Sequence, residues 1–431
     1  MSLLRTLKDF RFRLFFGVLQ LMMLTSIMGG NSLRSVDQKK FLTFQTDSET
    51  LIEVKIVEMA ENHPLWEGGF LRMNKPFFQR RENHGLMDFD RNATERYNSQ
   101  LGLQGLVAAV FQKCLQTNPG VSVWFLKWMV AFSTAAALVF FLHILMQKYG
   151  LGAGCAGFVI LCFSSHITYF GSNLYWVPAT LFLPYIVAFA GYPQAFESRQ
   201  KFVLYTYLIS GCVLLKCLCG YEYISCIVAA PVVAIIFHGL AAGKPWLTIA
   251  RYSFVVAIAG CLAFVAALVI HIGLLAVPLG GLKPAAAAVF ERASSHTIAH
   301  KTFDESWLQK YIHGPRGTVL LITKYLSADA VNIGTYTTFG NGEYFLVRGT
   351  YLGLFISGAI VAGCQLFRRK QSGWASLVGL GFSLLVSSSW LFLAKNHSLH
   401  HLHLNHIVFG IPFLFQLIVA FSVALQKVQA D

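Results

Sequence analysis

Long apolar runs recur along this sequence at residues 122–146, 151–169, 174–191, 202–219, 223–240, 252–277, 349–367, 374–394 and 406–425. Each is close to the ~20 residues that cross a hydrocarbon core. Another run precedes them. In MSLLRTLKDFRFRLFFGVLQLMMLTSIMGG, Arg5, Lys8, Arg11 and Arg13 lead into an apolar stretch of about 17 residues, near the lower limit for a span. No small-residue cleavage pattern follows it, so it reads as a membrane anchor rather than a removable signal. Only 13% of the residues are charged and 55% are hydrophobic, against about 25% charged in an ordinary soluble domain. That balance excludes a soluble globular enzyme and a disordered chain.

The positive charges set an orientation. The net charge is +14, from 34 Lys and Arg against 20 Asp and Glu. With ten spans, Lys148, Arg199 and Lys201, Lys244 and Arg251, Arg368 to Lys370, and Lys427 all fall on the side of the N-terminus. The positive-inside rule makes that side cytoplasmic. The expectation is one all-α polytopic membrane domain over residues 1–431, with about ten transmembrane helices and an extracytoplasmic cap of amphipathic helices. The outer material is residues 31–120, 278–347 and the His-rich 395–406, with a small fourth piece at Ser172 to Trp176. In the first loop, two stretches have helical apolar spacing: Leu51, Ile52, Val54, Ile56, Val57 and Met59, then Leu103, Leu106, Val107, Val110 and Cys114. Such helices commonly lie flat in the head-group zone. The nine cysteines sit mostly inside apolar runs and form no disulfide framework.

Four constellations carry candidate chemistry. Asp47 and Glu49, in Thr46-Asp47-Ser48-Glu49, are two carboxylates able to share a base or metal-binding role; the alternative is a helix N-cap. Lys216 and Glu222, in LLKCLCGYEYIS, are ionisable groups at the edge of apolar segments. They are either a structural ion pair or substrate contacts. Lys395, His397, His400 and His401 lie in KNHSLHHLHLNH, where the three histidines share a helix face. They are candidates to hold a phosphate or a metal, or to form an interfacial belt. His296 and His300, followed by Lys301, Asp304 and Glu305, form with HxxHH a pattern shallowly similar to the histidine boxes of membrane di-iron enzymes. Single histidines such as His143, His166, His238 and His271 read as helix-contact residues.

The layout resembles the GT-C superfamily of integral-membrane glycosyltransferases, over most of the chain as architecture and over short stretches as motif. Asp47-Ser48-Glu49 occupies the place of that family's acidic first-loop motif. Tyr97 to Gly105 resembles the second loop helix of bacterial members. Tyr175 to Pro178, Gly220 to Tyr223 and Ala394 to Ser398 are similar to other outer segments. The motif here is D-x-E rather than D-x-D, it lies farther from the first helix, and no W-W-D motif is present. The resemblance implies a polyprenyl-phosphate-linked sugar as donor and an extracytoplasmic glycan, lipid or protein as acceptor. It implies Asp47 as base with Glu49 auxiliary, and Lys216, Glu222, Lys395, His397, His400 and His401 on the phosphate or substrate side. It implies no resident cofactor and leaves a divalent metal open. The bacterial plasma membrane is the expected location, and no nucleic acid is expected as partner. Three other classes remain: a lipid-linked glycan transporter or flippase, a histidine-box metalloenzyme, and a nonenzymatic membrane scaffold.

Overall fold

Helix is what the apolar runs must form, because backbone facing lipid has to bond within its own segment. The computed structural model describes residues 2–44, 46–65, 70–74, 94–297, 314–338, 342–368, 370–401 and 404–426. Among them, eight helices are long and apolar enough to cross a membrane. Six are whole elements: α1 (Ser2–Gly30, apolar from Arg13), α5 (Pro119–Tyr149), α9 (Arg199–Cys219), α10 (Ile224–Ala241), α11 (Trp246–Ala276) and α14 (Tyr351–Arg368). The seventh lies within α15 (Lys370–Leu393), and the eighth joins a 3-10 turn at Asn405–Gly410 to α17 (Phe413–Leu425). The protein is therefore a multi-pass, predominantly helical membrane protein.

The remaining two expected spans take other forms. Residues 151–169 make α6 (Leu151–Cys162) and α7 (Ser165–Phe170), broken at Phe163-Ser164. Ser164 is extended (φ −71, ψ 110). Serines in tandem offer the backbone competing hydrogen bonds, which weakens a helix there. The run expected from residue 174 begins as helix only at α8 (Ala179–Ala195), after a tight turn. Both elements are shorter than the eight, yet they alternate in direction with them. Described residues of the connections that follow α1, α7, α9, α11 and α15 meet at the end where α1 finishes, called the upper end below: Glu49 holds the Leu174 amide, Tyr175 holds Glu222, and Tyr325 holds Ser398. The helix ends and turn that carry Lys148, Arg199, Lys201, Lys244 and Arg251 lie at the other.

The spans are not equivalent. Of the most apolar 18-residue window of Asn405–Leu425 89% is buried, whereas that of α11 is only 17% buried. The last helix is thus the bundle core, and α11 is a lipid-facing wall. Phe415 meets the rings of Phe141, Phe182 and Tyr185 at centroid distances of 4.8, 5.4 and 5.4 Å. The Tyr185 hydroxyl donates to Gln416 Oε1 at 2.9 Å.

The first loop departs most from expectation. It contains α2 (Gln38–Thr43), α3 (Thr46–Ala60), a ribbon of β1 (Arg72–Asn74) with antiparallel β2 (Thr94–Arg96), and α4 (Leu103–Leu115). Helix α3 is not an interfacial helix: every residue from Glu49 to Met59 is buried. It packs against β1, α4 and α5, and its charges are held in pairs such as Glu58 with Arg72 at 2.8 Å. Helix α4 forms where the apolar spacing placed a helix. Gln104, Gly105, Ala108, Ala109 and Gln112 face inward, and Val107, Val110 and Leu115 are exposed, as suits a helix on a lipid surface. Its start fits tightly under Phe70-Leu71, and a Cβ on Gly105 would run into the Phe70 carbonyl. Gly105→Ala is expected to lower stability by about 2 kcal/mol, as overpacking against fixed backbone does. An unchanged melting temperature of the purified protein would contradict this.

The second loop is likewise not all helix. After α12 (Leu282–Thr297) and α13 (Gly314–Leu326) comes an antiparallel hairpin of β3 (Asp329–Thr338) and β4 (Gly342–Thr350). Its base docks on the broken span: Asn332 N donates to Phe163 O at 3.0 Å, Val331 bridges Ser164, and Ser165 Oγ donates to Asp329 O at 2.7 Å. The strand thereby meets backbone groups that the break released.

Candidate functional site

The upper end collects the residues singled out by sequence, in two neighbouring groups. The first centres on the turn between α9 and α10. Lys216 is buried, and its ammonium donates to Gly220 O at 2.9 Å, closing the end of its own helix. An ion pair with Glu222, one of the two readings of these residues, does not form. Glu222 Oε1 instead accepts the Tyr175 hydroxyl at 2.8 Å. Burial, then the charge of Glu222, then Tyr97 hold the Tyr175 phenol well above its ordinary pKa, so it stays protonated and donates. Glu222 Oε2 and Gln100 Oε1 both come within 2.6 Å of where a Gly220 Cβ would sit. Only glycine leaves them that space.

The turn carrying Tyr175 is fixed from three sides. Leu174 N donates to Glu49 Oε1 at 3.0 Å. Asn173 Oδ1 accepts from the amides of Tyr175 and Trp176 at 3.0 and 3.1 Å. Gln104 Nε2 donates to Tyr175 O at 2.9 Å. Two non-glycine residues flanking this region, Val177 (φ 42) and Tyr223 (φ 65), lie in the left-handed region. For a β-branched residue that is a strained conformation, which surrounding contacts must enforce. Between them the Trp176 and Tyr223 rings stack at 5.2 Å.

Several polar atoms here have no partner. Gln100 Nε2, Gln104 Oε1 and Trp176 Nε1 are buried without a hydrogen bond, in residues only 3%, 8% and 1% exposed. Each such group costs about 1–3 kcal/mol when left unmade. They are two donors and an acceptor, and of them Gln100 shares the space over Gly220 with the Glu222 carboxylate.

The second group is a circuit of rings closed at one point through Asn405. Phe44 touches Phe170 at 5.1 Å, and Phe170 touches Trp176 at 5.6 Å. Tyr223 meets Trp390 at 5.4 Å, whose Nε1 donates to Asn405 Oδ1 at 2.9 Å. Asn405 Nδ2 reaches the Tyr325 hydroxyl at 3.3 Å. The circuit continues through Tyr325–His406 and His406–His166, each at 4.6 Å, then His166–Tyr169 at 6.4 Å and Tyr169–Phe44 at 4.8 Å. The Tyr325 hydroxyl also donates to Ser398 O at 2.8 Å, tying down α16 (Lys395–His400).

The histidine-rich segment is therefore not one helical face. Helix α16 stops at His400. His397 is buried, with its ring 5.9 Å from Trp390 and 4.8 Å from His401. The chain then turns and carries His406 to His166, whose Nδ1 lies 3.0 Å from the Tyr351 hydroxyl. Burial lowers the pKa of Lys395. The His400 side chain, His300, Lys301, Asp304 and Glu305 lie outside what the structure describes, as does the side chain of His296. Among the described residues, no group of three or more His, Cys, Asp or Glu is placed to hold a metal.

The acidic motif divides its work. Glu49 is buried, with Oε2 2.8 Å from Lys127 Nζ and Oε1 on the Leu174 amide. It is an anchor between α3, α5 and the Tyr175 turn. Asp47 is half-buried in the first turn of α3, and only its Oδ1 is engaged, by the Ser48 amide at 2.8 Å. Its second oxygen keeps its lone pairs. Sequence reasoning missed Tyr97, Gln100 and Gln104 as a polar row; their three- and four-residue spacing into the first turn of α4 was the available signal. It also set His166 aside as a helix-contact residue. No family model, curated protein or solved structure matches the chain.

Proposed function

We propose that this protein is a membrane glycosyltransferase. It moves a sugar from a polyprenyl-phosphate-linked donor to an acceptor on the side of the upper end; Lys148, Arg199, Lys201, Lys244 and Arg251 at the opposite end support an extracytoplasmic upper end by the positive-inside rule. The observation that carries this reading is the set of unpaired atoms of Gln100, Gln104 and Trp176 beside Glu222. Sugar hydroxyls donate and accept at once, so a pyranose or furanose ring satisfies amide, indole and carboxylate together. The place also suits a sugar tethered to lipid, because it sits at the mouth of the helices.

In this reading the acceptor oxygen attacks the anomeric carbon, and the bond from that carbon to the donor phosphate oxygen breaks. The phosphate leaves with the electron pair, and Asp47 takes the acceptor hydroxyl's proton. Lys216, Lys395, His397, His400 and His401 are the candidate groups for the developing phosphate charge. Resemblance to GT-C enzymes in the first loop, and the bacterial plasma membrane as location, belong to the same proposal.

The test is label transfer in membranes from a radiolabelled mixture of polyprenyl-phosphate sugars, comparing wild type with Asp47→Asn at equal expression. Transfer by the wild type that the variant lacks supports the reading. Transfer by neither, across a broad donor panel, removes it. A second reading, translocation of a lipid-linked glycan, has one observation in its favour. Gln20, Gln365 and Gln416 bury amide atoms without partners inside the bundle. Movement of a lipid-linked sugar across sealed vesicles, equal in wild type and Asp47→Asn, would favour it.

A further inference from the structure

His271 is a buried imidazole that the groups described above do not use. It is 1% exposed and lies near the upper end of α11. Its Nδ1 is 3.1 Å from the Tyr221 hydroxyl, and its Nε2 is buried with no hydrogen-bond partner. A buried polar atom left in that state destabilises the fold until something pairs with it. Tyr221 stands between Glu222 and Gly220, whose carbonyl holds the Lys216 ammonium. The orphaned nitrogen therefore belongs to the turn between α9 and α10, on its α11 side.

The hydrogen bond on the other side of the ring sets what Nε2 needs. The Tyr221 hydroxyl has one proton and two acceptors in reach, His271 Nδ1 at 3.1 Å and Ala267 O at 3.4 Å. Ala267 O is also the helix partner of the His271 amide, four residues on. The shorter contact, to the imidazole, takes the proton. Nδ1 is then the acceptor and Nε2 carries the ring hydrogen. Nε2 calls for an acceptor oxygen, and an anionic oxygen binds such a donor most strongly.

Depth and surroundings narrow the source of that oxygen. Helix α11 starts at Trp246, an exposed residue of the kind that sits at a membrane interface. His271 lies about 37 Å along the helix from there, beyond a hydrocarbon core of ~30 Å. It stands at head-group depth. One turn farther up, Leu275 packs with Ala285 and Val289 of α12, which covers the aqueous side. Around it on α11, Val269, Ile270 and Leu274 are exposed on the lipid-facing wall. An anion that meets His271 comes along the bilayer surface.

From this placement the geometry points to His271 as a binding residue for the phosphate of a polyprenyl phosphate lying against α11, with Nε2 donating to a phosphate oxygen and Lys216 adding positive charge from the same turn. This rests on the glycosyltransferase reading and gives its lipid donor a contact on the α11 side.

The experiment uses the full chain in phosphatidylcholine nanodiscs, with thermal melting followed against increasing undecaprenyl phosphate, undecaprenol, phosphatidic acid or inorganic phosphate. A ligand of the folded state raises the melting temperature. Each rise is read against the same variant without ligand, so a merely structural loss cancels. Undecaprenyl phosphate is expected to stabilise the wild type, undecaprenol to have no effect, and phosphatidic acid and inorganic phosphate to need higher concentrations. His271→Asn, which keeps a polar group only on the Tyr221 side, is expected to raise the midpoint concentration of undecaprenyl phosphate by at least about tenfold. His271→Gln, whose amide places a donor near Nε2, falls between. His143→Gln, on the lower part of α5 beside Gln147, leaves the midpoint unchanged. Equal midpoints in wild type, His271→Asn and His271→Gln overturn the contact. So does a wild type that responds to undecaprenol as it does to the phosphate, or to neither, whatever the variants do. Phosphatidic acid or inorganic phosphate acting as well as undecaprenyl phosphate assigns the oxygen to that source and overturns the donor assignment. Sugar transfer is measured separately, so failure of this contact and failure of the glycosyltransferase reading are distinguishable.

Discussion

Asp47→Asn is expected to slow sugar transfer by about 10²- to 10⁴-fold, the usual loss when a positioned general base is removed, while the protein accumulates normally. The separation of effects follows from the local geometry. Asp47 uses Oδ1 to accept the Ser48 amide in the first turn of α3, and the asparagine carbonyl oxygen can keep that bond. The lost negative charge at a helix N-terminus costs only about 0.3–1 kcal/mol. What the amide cannot do is take a proton from an attacking hydroxyl. Transfer rate and melting temperature, measured on the same preparations, report the two consequences separately. Full transfer by Asp47→Asn would remove Asp47 from the mechanism and leave Glu222 as the remaining carboxylate beside the unpaired amides.

Glu49→Ala is expected to do the opposite: unfold before it informs on rate. Its side chain is 1% exposed and pairs with Lys127, itself 35% exposed. Removing one partner of such a pair costs about 3 kcal/mol, the lower part of the range for buried pairs, because Lys127 can turn to water. Loss of the acceptor for the Leu174 amide adds a buried unmade hydrogen bond. A large drop in melting temperature, with Lys127→Met milder and the double variant less than additive, is the expected pattern. Melting unchanged by Glu49→Ala would show that the Tyr175 turn is held without it.

These two carboxylates show what the sequence could and could not convey. Both stand out in the text as a D-x-E pair, but their different tasks are set by Lys127 and Leu174, about 80 and 125 residues away in sequence. The long spans were legible because lipid imposes composition locally: the run expected at 202–219 is helix Arg199–Cys219, and that at 223–240 is Ile224–Ala241. Burial of α3 was not legible. Glu49, Glu53, Lys55 and Glu58 read as a solvated face, and only the tertiary partners of these charges make the interior tolerable. The break at Phe163-Ser164 was hidden because uniform hydropathy carries no mark of where a helix stops; the paired serines were the one cue. The second hairpin did leave a trace, in β-branched and aromatic residues on both sides of Asn341-Gly342. His166 and His406 come together across 240 positions, which no local pattern anticipates.

The docking of β3 on the broken span sets a schedule for the protein's own synthesis. Helices α6 and α7 leave the ribosome well before residues 331 and 332, the strand that bonds to Phe163 O and bridges Ser164. Until that strand has been made, the nascent chain must hold an incomplete span, shielded by the insertion machinery, by water or by α1 and α5 already in place. Completion of a membrane crossing in the first half of the chain thus waits on a segment about 167 residues downstream. In the finished protein the Asn332 amide, which donates to Phe163 O, should be protected from hydrogen exchange.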